Sequence, residues 1–149
     1  MNPKPERKII MRKNHVTIVF AAIVSVVAFS AFSIAATGAK EYSLMPTEAH
    51  PNASGTARID SNNININANG LNPDSVYTVW FVSMKPQKHE AGAGEAPYMF
   101  RTDADGSAVY KSELYGSPFG KWEMVMIMLH PTGNPKDMNN MVGALGGKL

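Results

Sequence analysis

A chain of 149 residues with no cysteine and a formal net charge of only +2 excludes disulfide scaffolding, thiol catalysis and cysteine-ligated zinc. The charge is unevenly spread: five bases and one acid fall within residues 1–39, so the other 110 residues carry nine bases against eleven acids, which argues against nucleic acid as a partner. A chain of that length suits one domain with one core.

Lys4, Arg7, Lys8, Arg12 and Lys13 precede an uncharged apolar run over 16–36, the layout of a secretory signal. Met11 offers a second start, and cleavage after Ala36 or Ala39 suits small-residue rules. The alternative is an uncleaved anchor, since at about 1.5 Å per helical residue the run just spans a hydrocarbon core of about 30 Å. Ser25, Ser30 and Ser33 dilute it, which favours cleavage. Residues 1–39 are therefore a signal peptide or membrane anchor helix, and the expected location is periplasmic or secreted. The membrane is met only through this segment, if it stays uncut. Residues 40–54, with Pro46, Pro51 and no apolar periodicity, read as a flexible tether.

From Gly55 onward, short apolar runs alternate with turn signals at roughly the 8–12-residue spacing of an all-β domain. Strands are expected over 56–59, 62–69, 76–84, 98–102, 108–114, 121–130 and 142–149. In the second, Ile64, Ile66 and Ala68 face inward and Asn63, Asn65, Asn67 and Asn69 outward. The third opens on a turn: Pro73 fixes its own φ and pushes Asn72 toward extended geometry, and Asp74 and Ser75 fold back on the local backbone. Both faces of that strand are apolar, as in a central strand. The spacing Leu71, Pro73, Tyr77 suits a tyrosine corner, in which the phenol bonds backbone a few residues upstream. The segment 102–107 reads as a hairpin turn with Gly106 at positive φ, and it lacks the further oxygen ligands of a calcium loop. About seven strands make residues 55–149 a single β-sandwich of the immunoglobulin-like or fibronectin-like kind.

Gly70-Leu71-Asn72-Pro73, the Tyr77-Thr78-Val79-Trp80-Phe81-Val82 strand, the 100–108 turn segment and Met128-Leu129-His130-Pro131-Thr132-Gly133-Asn134-Pro135 carry a resemblance. Residues 65–149 resemble the extracytoplasmic C-terminal domain of anti-sigma-K factors, over somewhat more than half the chain. The resemblance implies an exported immunoglobulin-like sandwich that senses or binds outside the membrane. Only residues 1–15 precede the apolar run, so the family's cytoplasmic sigma-binding domain is not expected here.

Chemistry is sparse. No nucleophile elbow occurs, so a small envelope hydrolase is the third-ranked reading, and the first is a non-enzymatic binding or structural module of the bacterial envelope. Its partner is an unidentified envelope protein or small ligand. The second reading is a copper-binding protein. Residues 40–149 hold eight methionines against six leucines, and in 122–130 strict alternation places Trp122, Met124, Met126, Met128 and His130 on one face. Thioethers with an imidazole suit copper(I), and the candidates are His130, His89, Met128 and Met84. The competing account buries the methionines as core filler in a strand apolar on both faces. Oxidant scavenging requires them at the surface, against which the alternation argues. The loop 85–96, with Gly92 and Gly94, is the one long polar loop and a place for binding residues.

Overall fold

The computed structural model describes residues 38–149, and the signal-or-anchor reading of 16–36 lies outside them. Nine strands follow in chain order: β1 (Lys40–Pro46), β2 (Ser54–Ile59), β3 (Asn63–Asn69), β4 (Val76–Ser83), β5 (His89–Gly92), β6 (Met99–Arg101), β7 (Ala108–Glu113), β8 (Met124–His130) and β9 (Val142–Lys148). The described residues are all-β. Every pairing is antiparallel, and the strands form one path, β5-β4-β8-β9-β1-β2-β3-β7, with β6 sharing β4's outer edge with β5. The sheet curls around one apolar cluster that includes Leu44, Ile59, Ile66, Val79, Ile127 and Leu145.

Strand β1 makes the curl. Residues 40–44 pair with β2, whereas Met45 and Pro46 pair with β9, so one strand joins both halves of the sheet. This segment is therefore a strand, not a tether. Its order comes from backbone pairing on two neighbours, which side-chain periodicity does not register; Leu44 is its one buried side chain. Part of the polar loop 85–96 is likewise a strand, β5, drawn into register by β4. The segment 102–107 turns at Gly106 (φ 74°), but it is not a hairpin: β6 pairs with β4 and β7 with β3. It crosses between halves, held by Asp103, whose Oδ1 accepts the N–H groups of Asp105 (2.9 Å) and Ser107 (2.8 Å).

The 72–75 turn is braced from this crossing. Thr102 donates its hydroxyl to Asn72 O (2.6 Å) and accepts the Ser75 N–H (2.9 Å), while Asn72 N–H donates to the Tyr77 phenol oxygen at 2.9 Å. That last bond is the upstream backbone contact expected of a tyrosine corner. Tyr77 is fully buried, stacked on Phe100 at 5.5 Å, with His50 edge-on at 6.0 Å. Burial β3 follows the expected alternation, with Ile64, Ile66 and Ala68 in the core.

The core contains no methionine. All eight methionines of the described residues are half-buried or exposed, and on β8 it is Val125, Ile127 and Leu129 that face inward. Core packing is thus not their role. Trp122 leaves the alternation as well: β8 begins only at Met124, and Trp122 stacks on inward-facing Phe81 at 6.2 Å.

Burial raises the Tyr77 phenol above its ordinary value of 10.0, against the Asn72 N–H, which lowers it. A raised folded value keeps its stabilisation below the unfolded value and loses it as pH rises through the folded one. Tyr77→Phe is expected to cost about 1–3 kcal/mol at neutral pH by orphaning the Asn72 N–H, measured by urea unfolding. From about pH 9 upward the urea midpoint of the native chain should fall more steeply than that of the variant, and below that pH the two should run parallel.

Candidate functional site

Because side chains alternate, the outer face of the β4–β8–β9 region is set by register. Val76 lies opposite His130, Thr78 opposite Met128, Trp80 opposite Met126 and Val82 opposite Met124. On β4's other side, Met99 of β6 faces Thr78 and Gly92 of β5 faces Trp80. On β9, Gly143 faces Met128 and Gly146 faces Met126, with a register shift between Ile127 and Met128. Four half-buried methionines, 99, 124, 126 and 128, therefore share one surface with Trp80, and Met45 (65% exposed) pairs beside Gly146.

Glycine shapes this surface. A Cβ at Gly146 would lie 4.0 Å from both Met124 Cε and Met126 Cγ, and one at Gly143 would lie 3.9 Å from Met126 Cε and 4.0 Å from Met128 Sδ. The thioethers thus rest over backbone where no β9 side chain competes. On the opposite flank the Tyr98 ring occupies the place a Gly92 side chain would take, and meets Trp80 edge-on at 5.7 Å.

The methionine row runs into a buried polar chain. Trp80 Nε1–H donates to Thr78 Oγ1 at 2.7 Å, and Thr78 Oγ1 lies 2.8 Å from His130 Nε2. This bond draws the His130 ring from its place opposite Val76 toward Thr78. His130 is 1% exposed, and its Nδ1 has no hydrogen-bond partner among the described residues. A buried ring nitrogen without a partner is costly unless something else satisfies it.

The four candidate ligands are not all brought together. His130 and Met128 share the outer face. His89 pairs with Ser83, seven residues along β4 from Val76, which at about 3.4 Å per residue puts it about 24 Å from His130. Its ring instead lies 4.9 Å from Trp122. Met84 follows Ser83 at that same far end, 53% exposed. Thr78 and Met99 were missed as site residues, because only the β4 register places Thr78 opposite Met128 and Met99 on the other side of Thr78; Met126 is placed on this face by alternation but is not among the four candidates.

Two other features have less chemistry. His50 is buried with Nε2 3.3 Å from the Tyr77 phenol and Nδ1 unpartnered, yet it sits among the rings of the core. A cleft of about 260 Å³ lined by Phe81, Trp122, Leu114 and Lys121 is smaller than the roughly 300–1,000 Å³ of ordinary ligand sites, and a cleft of about 680 Å³ beside Ser83, Lys85, Glu123, Met124 and Lys148 reaches that size but is open to solvent. Of the described histidines, His50 pairs with a tyrosine, His89 with the Gln87 carbonyl (3.2 Å) and His130 with a threonine.

No known protein family, curated protein or solved structure matches the chain. The site must be read from its own residues.

Thr78→Val keeps shape but removes the hydroxyl that joins Trp80 to His130. It is expected to destabilise by about 1–3 kcal/mol in urea unfolding, through the donor left unpaired. Truncating the two faces of β8 should separate them: Ile127→Ala is expected to cost about 2–5 kcal/mol, and Met126→Ala clearly less, in the same assay.

Proposed function

We propose that this chain is an exported, non-enzymatic binding module of the bacterial cell envelope that takes copper(I) on its methionine face. The observation that carries the reading is that every described methionine is accessible while four of them share one sheet face that ends at a buried histidine. Thioether sulfur and imidazole nitrogen are the soft and borderline donors that copper(I) favours. Met128 and His130, two residues apart on one face, lie about 7 Å apart along the strand, within the combined reach of a flexible thioether and an imidazole. Met126, two residues before Met128, and Met99, across Thr78 from it, offer further thioethers to a donor set with no thiolate.

The export reading rests on the charged-then-apolar order of residues 4–36. The finer fold reading, an immunoglobulin-like sandwich related to the outer domain of anti-sigma-K factors, is supported by two groups of strands joined through β1 and by the Tyr77 bond to Asn72.

The test is titration of the full chain with copper(I) against a competing chelator, under reductant and without oxygen. One copper should be retained per chain. Met126→Leu/Met128→Leu, which conserves volume, should weaken retention at least about tenfold, roughly 1.4 kcal/mol, and His89→Ala should leave it unchanged. Equal retention by the native chain and the double variant, or none by either, overturns the assignment.

A further inference from the structure

The separation between core and thioethers carries a second consequence. The buried cluster is built from Ile, Leu, Val, Ala, Tyr and Phe, and the chain has no cysteine, so all eight sulfur atoms of residues 38–149 are thioethers lying outside the core. Oxidation of methionine to its sulfoxide converts a flexible apolar side chain into a polar one, which disrupts a core that contains it. Here no such core exists. On the outer face the half-buried Met124, Met126 and Met128 stand over Gly143 and Gly146, where β9 adds no side chain of its own and Thr47 Cγ2 is the nearest neighbour at Gly143.

We propose that the methionine face is a reversible sink for two-electron oxidants of the peroxide and hypohalous acid classes. A thioether lone pair attacks the electrophilic oxygen, a new S–O bond forms and the O–O or O–halogen bond breaks. The sulfur is oxidised by two electrons to the sulfoxide, and the oxidant leaves as water, alcohol or halide. Reversal takes a dithiol, delivered through a sulfoxide reductase: two thiols become a disulfide and the oxygen departs as water. The fold is the device that makes this repeatable, because each cycle alters surface side chains and leaves the packed cluster untouched. This inference does not depend on copper, since free thioethers react.

The experiment uses the full chain, stripped of metal by a chelator, treated with hydrogen peroxide or hypochlorite. Intact mass and peptide mapping should show Met99, Met124, Met126 and Met128 all converted, at rates within about tenfold of free methionine, because susceptibility follows exposure. The urea midpoint should stay close to the untreated value, and the two methionine sulfoxide reductases, one for each sulfoxide epimer, supplied with a dithiol should restore the mass. Met124→Leu/Met126→Leu/Met128→Leu should fold and take up three fewer oxygen atoms. The proposal is overturned if those four react only after unfolding, if the oxidised chain loses its cooperative transition, or if the two reductases together leave the sulfoxides in place. Copper retention that fails while oxygen uptake succeeds would sink the copper reading alone.

Discussion

The seven-residue register between β4 and β8 is the constraint on which the rest of the molecule depends. Both strands are apolar on both faces, so burial alone leaves two ways to orient each, and a slip of one residue would exchange their faces. The register chosen places Tyr77, Val79 and Phe81 with Val125, Ile127 and Leu129 on the inner face, and Thr78 and Trp80 with the methionines outside. β-Branched and aromatic side chains fill the curved interior, while the thioethers occupy the partly wet side. The Tyr77 phenol contributes to this choice. It can reach the Asn72 N–H only when its ring is inside.

Much of the scaffold was legible in the chain itself. The Ile64, Ile66, Ala68 alternation, the turn before Val76, the bond from that turn to Tyr77 and the glycine at 106 each follow from local chemistry. Three elements did not, for one shared reason. β1, β5 and the partners of β6 and β7 are decided by pairing with distant strands, and backbone hydrogen bonds leave no side-chain period to read.

The candidate site shows the same division. His130 and Met128 were visible because they lie on one strand and share its parity. Their partners Thr78 and Met99 belong to the site through cross-strand rows, Met126 through β8's own alternation, and His89 left it because β5 docks at the opposite end of β4. Alternation correctly put the three β8 methionines together. It could not say which face was the inner one, since Val, Ile, Leu and Met are all apolar. Composition carried a hint: a domain with more methionine than leucine has more thioether than one small core needs.

The sheet ends at β5 and the three-residue β6 on one side and at β7 on the other. Neither invites another strand. β5 is four residues long and starts His89-Glu90, with Lys88 bridging Glu90 at 3.3 Å, and β7 carries Lys111 and Glu113 on its exposed parity. Short length and charge are how sheet edges resist pairing with another copy of themselves. With such edges, encounters through the methionine face stay side-chain encounters and do not template a growing ribbon.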